Sequence, residues 1–213
     1  MKKLRRKLQR IAKRRIVFID QSNIELGAKR TRALCVEGQE AKVAVSQGQW
    51  YPKRVDMMAA ISYDDVLGIE TSGPTKRRRE KRKGYRKIDV LNFIRLRLAK
   101  KLPKLRVPNM TFCMDKALKI SQEEVLDALK DGGCTVVEHV VVLPTASGKH
   151  LSPLDNCLWH QVKHRIREAQ PHTEHATEQA IKAAFKAITA EQIHAYYRHC
   201  SLTRGQNVNK DLE

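Results

Sequence analysis

Ile16-Val17-Phe18-Ile19-Asp20-Gln21 places four apolar, β-forming residues in a row and then an acid. That is the pattern of a strand buried on both faces with a carboxylate at its exit. Met110-Thr111-Phe112-Cys113-Met114-Asp115 repeats it, a second buried run closed by an acid. Ser152-Pro153-Leu154-Asp155 then opens a helix, with proline at the first turn and the acid three residues beyond the serine. Strand ends and helix starts are firm places from which carboxylates distant in the chain can converge. Asp20, Asp115 and Asp155 are therefore the candidate catalytic and metal-binding residues.

Each acid also has a plainer reading. Asp20 suits a polar turn after a strand, Asp115 next to Lys116 suits a surface ion pair, and Asp155 suits a capping-box carboxylate. Asp56, Asp64 and Asp65 are further acids, set aside as solvated because a hairpin turn is where such aspartate is common. What favours convergence is the chemistry that the charge balance calls for. The chain of 213 residues carries 42 Lys+Arg against 23 Asp+Glu, a net charge of +19. Such an excess serves to neutralise nucleic-acid phosphates and release their counterions. Phosphodiester cleavage needs an activated nucleophile and a stabilised leaving oxygen, which two divalent ions about 4 Å apart supply together. Mg²⁺ or Mn²⁺ takes hard oxygen ligands, so a few carboxylates are enough. Asp20 is expected to bridge two such ions, with Asp115 completing one and Asp155 the other.

Outward from these stretches, residues 1–14 read as a basic lead-in helix, with Leu4, Leu8 and Ile11 at helical spacing among cations. Residues 15–19 are a strand, and 20–41 a loop with a short extended piece at 32–36. Strands are expected at 43–45, 55–62 and 66–69, with turns around Gly48 and at 63–65. Residues 72–87 read as an exposed basic loop bracketed by glycine and proline. Lys76, Arg77, Arg78, Arg79, Lys81, Arg82, Lys83, Arg86 and Lys87 are its candidate DNA-contacting residues.

An amphipathic helix follows at 88–102, with Leu91, Ile94, Leu98 and Leu102 on one stripe. A helix at 121–130 has a Ser121/Glu124 capping box and stops at Gly132-Gly133, and a β-branched strand covers 135–143. The helix opened by Ser152-Pro153 carries Leu158, Trp159, Val162 and Ile166 on the face of Asp155. Helices at 174–188 and, after a Thr189/Gln192 capping box, at 190–199 complete a domain over 15–200, and 201–213 is a polar tail. A β-rich first half followed by α-β-α-β-α defines an α+β or α/β sheet with helices on its faces.

The apolar fraction of 41% is enough for a packed core. The five cysteines, at 35, 113, 134, 157 and 200, are scattered without Cys-x-x-Cys spacing, which points to a reducing, intracellular setting. No apolar run approaches a membrane-spanning length, so no membrane partner is expected. His160 and His164, the one close helical pair, read as solvated, and no zinc is assigned.

The flanks of the three acids resemble the catalytic domain of the mariner/pogo superfamily of cut-and-paste DNA transposases, over most of residues 15–200. Ile16–Gln21 resembles the family's first-strand block, with Gln21 where Glu is usual. The stretch from Lys53 to Asp64 is similar to its second and third strands. Phe112–Asp115 resembles the strand of its second acid, with Lys116 where Asn is usual. The block from Leu143-Pro144 to Pro153-Leu154-Asp155 and Trp159 is the most specific match, with a pogo-like Pro-Leu-Asp centre. The spacings between the acids also look like the family's, the second being that of its Asp-Asp-Asp branch.

The resemblance implies an RNase H-like fold, with a mixed five-stranded sheet, helices on both faces and further C-terminal helices. It implies two Mg²⁺ or Mn²⁺ ions, double-stranded DNA as substrate at transposon ends with TA as target, action as a homodimer, and a nuclear location in a eukaryote or a cytoplasmic one otherwise. It further implies that 72–87 takes the place of a clamp loop. The family's upstream helix-turn-helix module has no counterpart in these residues, so a catalytic domain alone, truncated or domesticated, is expected. Two alternatives stay open: a non-catalytic DNA-binding protein retaining the fold, and a Holliday-junction or RNase H-type nuclease.

Overall fold

The computed structural model describes residues 2–26, 37–38, 53–81, 83–144, 150–200 and 202. The extended pieces expected at 32–36 and 43–45, the turn at Gly48, Arg82 and nearly all of the 201–213 tail lie outside the described residues.

Strand β1 (Ile16–Glu25) lies at the middle of a five-stranded sheet. β2 (Arg54–Ile61) and β3 (Val66–Ser72) continue it as an antiparallel meander on one side. β4 (Met110–Asp115) and β5 (Val137–Leu143) extend it in parallel on the other, giving the order β3-β2-β1-β4-β5. Parallel neighbours cannot be joined by a tight turn and need a crossover. The helical segment between β3 and β4 and helix α5 (Gln122–Asp131) supply the connections.

Alternation along the central strands sorts the core into two layers. Ile16 and Phe18 join Met57, Ala59, Cys113, Val141 and Leu143 on one face. Val17 and Ile19 join Met58, Ala60, Phe112, Met114 and Val140 on the other. The first face is covered by α1 (Lys2–Gln9) through the fully buried Leu8, and by α6 (Trp159–Ala169), α7 (Glu174–Lys186) and α8 (Ala190–His199). The second is covered by α3 (Lys87–Phe93) and α5 through Val90, Phe93, Val125 and Leu129. Each large side chain removed from water in this way contributes about 1.5–3 kcal/mol. Tyr197 on α8 adds a directional tie, its hydroxyl donating to the Ile16 carbonyl at 3.0 Å.

Several local signals act as the sequence indicates. Ser121 and Glu124 form a reciprocal capping box at the start of α5, and Thr189 and Gln192 form another at α8. Gly133 takes the left-handed φ of +83° that ends α5.

Three expectations need correction. β1 does not end at Ile19; it runs on to Glu25, because β2 pairs with it along Glu25↔Arg54 to Phe18↔Ile61. The expected 88–102 helix is not uniform: α3 passes into a π-helical turn (Ile94–Leu98), then α4 (Ala99–Lys101) and a 3₁₀ turn (Leu102–Leu105). Gly132 packs against this turn so closely that a Cβ there would meet the Arg95 carbonyl at 2.3 Å. Residues 72–87 are not one exposed loop. Pro74–Arg79 forms helix α2, whose start is held by the Glu174 carboxylate accepting from the Thr75 N–H at 3.1 Å and from its hydroxyl. Gly73 leaves room for that carboxylate, since a Cβ there would overlap it.

Candidate active site

Asp20 is the first residue of β1 beyond its pairing with β4, which ends at Ile19↔Met114. Asp115 is the last residue of β4, opposite Leu143. Two-residue alternation puts Asp20 on the face of Ile16 and Phe18, and Asp115 on the face of Cys113, which is the same face of the sheet. The chain reaches that face again at the π-helical turn Leu154–Leu158 leading into α6, and this turn carries Asp155. Its backbone N–H donates to the Ser152 hydroxyl at 3.4 Å. The Ser-x-x-Asp signal thus does half of a capping box and leaves the Asp155 carboxylate for the sheet. π-helical turns inside α-helices recur at functional sites.

All three carboxylates line one pocket of about 420 Å³, together with Gln21, Asn23, Arg54 and Tyr85. Asp20 is only 7% exposed. Trp159, buried on the first turn of α6, donates its indole N–H to Asp20 Oδ2 at 2.7 Å. Burial pushes the Asp20 carboxyl well above the usual range, and the adjoining Asp155 carboxylate, which shares a hydrogen bond with it, raises it further. The Trp159 and Gln21 hydrogen bonds act in the opposite direction. Asp20 and Asp155 therefore meet, and Asp115, half-buried at its strand end, lines the same cleft. Among the described residues, no three His, Cys, Asp or Glu side chains stand close enough to form a ready-made metal cluster.

Lys163, one turn beyond Trp159 on α6, escaped the sequence reading. Its ammonium is lowered by burial and by Arg167, and favoured by Asp20 and Asp155, so it lies within the field of both acids. Helical spacing offered the signal, since Asp155, Trp159 and Lys163 recur every fourth residue.

Asp56 is not a solvated acid. It is buried in β2 between Arg77 (2.8 Å) and Arg54 (3.0 Å). Asp64 does occupy the hairpin turn, where it pairs with Arg14 at 3.1 Å and His194 at 2.9 Å.

The candidate DNA-contacting cations divide into distinct groups. Arg77 is 8% exposed and spends its guanidinium on Asp56 and the Ser72 and Arg54 carbonyls, so it faces inward. Lys76 is half-buried and pairs with Glu70 at 3.7 Å. Arg86 caps α3 against Asp89, and Lys87 pairs with Glu124. Arg78, Arg79, Lys81 and Lys83 are exposed.

The mixed five-stranded sheet, its strand order and its two helical layers define an RNase H-like domain. Solved structures share it. The Mos1 mariner paired-end complex with Mn matches at a TM-score of 0.67, over 94% of this chain and 57% of that one, at 19% identity. A pre-cleavage Mos1 transpososome matches equally, with a TM-score of 0.67 over 94% and 57%. The catalytic domain of Mos1 mariner transposase matches at 0.61, over 94% of this chain and 85% of that one, at 17% identity. The chain thus spans little more than half the length of the Mos1 chains in the two complexes. At these identities the likeness is one of fold. No protein-family model and no curated protein matches the chain. Among the described residues, no helix is long and apolar enough to cross a membrane.

Proposed function

We propose that this chain is the catalytic domain of a mariner/pogo-type DNA transposase, cutting and joining DNA strands with two divalent cations, Mg²⁺ or Mn²⁺, at Asp20, Asp115 and Asp155. The observation that carries the reading is the contact between Asp20 and Asp155 at the open end of the parallel strands, with Asp115 on the same pocket wall. The donor set fits the ions. Two adjoining carboxylates, one of them buried, repel each other when both are ionised, and hard divalent cations with oxygen ligands relieve that repulsion. When bound, such ions supply an activated water and a stabilised leaving oxygen.

The chain's own groups do the rest. Trp159 fixes the Asp20 carboxylate through its 2.7 Å hydrogen bond. Lys163, further along α6, lies within the field of both acids and offsets part of their negative charge. The exposed Arg78, Arg79, Lys81 and Lys83 bind the DNA backbone, which positions the duplex without reading its sequence. The printed names of the solved neighbours, transposon-end complexes with Mn or Mg, support DNA as substrate and divalent metal as cofactor. Transposon ends, a TA target and a homodimer follow from the family resemblance, as does work inside the cell, in the nucleus of a eukaryote.

Nicking of supercoiled plasmid in Mn²⁺ tests this. Asp20→Asn should lower the rate more than about a hundredfold, a larger loss than that expected for residues that merely orient a ligand. Its melting temperature should hold or rise, because the substitution removes the repulsion with Asp155. An Asp20→Asn protein that nicks as fast as the original ends the proposal. A non-catalytic DNA-binding protein on the same fold would bind duplex and take up no Mn²⁺ in a calorimeter.

A further inference from the structure

Strand β3 is the outer edge of the sheet on the meander side. Along its first half, Val66–Ile69, runs an open groove of about 730 Å³. One wall comes from the helical layer on one face of the sheet, with Arg97, Lys100, Lys101 and Lys104. The other comes from α7 on the opposite face, with Lys182 and Lys186. Asp65 is the one acid on the lining. All five lysines are exposed, and among the described residues none has a carboxylate within ion-pair distance. Arg97 reaches the Ile69 carbonyl at 3.5 Å and Glu70 at 4.0 Å, which holds its guanidinium across the strand's free edge.

We infer that this groove is a second nucleic-acid site, separate from the carboxylate cleft, that grips the phosphate backbone of duplex DNA. The spacing suits a polyanion. From Arg97 to Lys104 the wall runs about 10 Å at 1.5 Å per residue, and one DNA strand presents a phosphate every 3.4 Å or so along the axis. The wall therefore matches about three successive phosphates, and Lys182 and Lys186 reach the duplex from the other side.

Duplex is favoured over single strand because bases of a single strand need aromatic faces to stack on. The single aromatic on the lining, Phe185, is only 4% exposed. An acidic peptide adding a strand to β3 is disfavoured because Arg97 covers the edge it would pair with. The groove is also close to the cleft. Asp20 pairs with Ala59, which pairs with Ile69, so two strand spacings, about 10 Å, separate Asp20 from the groove. A duplex held there would be DNA that the cleft is not cutting, either flanking or target. This inference rests on the proposed function for the identity of the polyanion, and not for the surface itself.

The test uses the full chain and a 30-base-pair duplex in EDTA, so that no cutting occurs. Lysine acetylation read by mass spectrometry, with and without duplex, should show Lys100, Lys101, Lys104, Lys182 and Lys186 protected. A variant carrying Gln at these five positions should lower the slope of log K against log salt by about 3 to 4, near 0.9 per lost phosphate contact. Lysines that acetylate equally with and without DNA, or an unchanged slope, overturn the inference. So does protection by poly-glutamate but not by duplex, which would assign the groove to acidic peptides. Metal-dependent nicking with unprotected groove lysines sinks the groove alone. Protected lysines on a chain whose Asp20→Asn variant nicks normally sink the catalytic reading alone.

Discussion

Replacing Arg77 by Met separates two roles for a cation that the sequence places among DNA contacts and the structure turns inward. Arg77 is 8% exposed, and its guanidinium meets Asp56 and the Ser72 carbonyl at 2.8 Å each. Removing one partner of a buried pair costs about 3–5 kcal/mol, because a charge is left uncompensated. Here the figure falls toward the lower end, since Arg54 still reaches the other Asp56 oxygen at 3.0 Å. Methionine keeps most of the aliphatic stem, so packing loss adds little. The expected cost is about 3 kcal/mol, or roughly 6–12 °C of melting temperature for a chain of this size.

Urea denaturation measures the loss, and a cycle with Asp56→Leu isolates the pair. The double variant should recover about 2 kcal/mol relative to the sum of the single ones. Duplex affinity and its salt slope should not change in Arg77→Met, whereas Arg78→Gln and Arg79→Gln should each lower the slope by about 0.9. A stability loss under 1 kcal/mol together with a slope lower by about one would refute the inward role and restore Arg77 to the DNA-contacting set.

Trp159→Phe retains a ring against Phe185, now packed edge-on at 5.8 Å, but removes the hydrogen bond to Asp20. Nicking should fall about 10–100-fold with a higher Mn²⁺ requirement, and an unchanged Mn²⁺ midpoint would show that the indole only packs. Gly132→Ala forces a Cβ to within 2.3 Å of both the Arg95 carbonyl and Ala99 Cβ. Thermal melting should reveal a loss of about 1–3 kcal/mol, and a melting temperature within 1 °C of the original would mean that α5 shifts at no cost.

The parts of this fold legible in the sequence are those written in local chemistry. Alternating and continuous apolar runs gave β1, β4 and β5, and the Ser121/Glu124 and Thr189/Gln192 boxes fixed two helix starts. Long-range pairing was not legible. Gln21–Glu25 is polar enough to read as loop and becomes strand only because Arg54–Met58 is aligned beside it. Arg77 reads as one cation in a basic run until Asp56, far upstream, is brought within 2.8 Å. The π-helical turns carry no periodicity of their own in the sequence, and Gly132 packs against the one at Ile94–Leu98. The three acids could be picked out because two follow apolar runs and the third follows a Ser-Pro helix start in the sequence. That Asp20 is tied to Trp159 and accompanied by Lys163 emerges only when α6 is laid on the sheet.

The length of β1 bears directly on the proposed metal site. Asp20 is not a loose exit residue but an interior position of a strand held by β2 as far as Glu25, with its carboxylate further pinned by the Trp159 indole. Asp115 ends its strand, and Asp155 rides on a π-helical turn. One acid is therefore held in both backbone and side chain, by β2 and by the Trp159 indole. On the proposed reading Asp20 would hold the divalent cations from this fixed position, together with Asp115 and Asp155 on the same pocket wall.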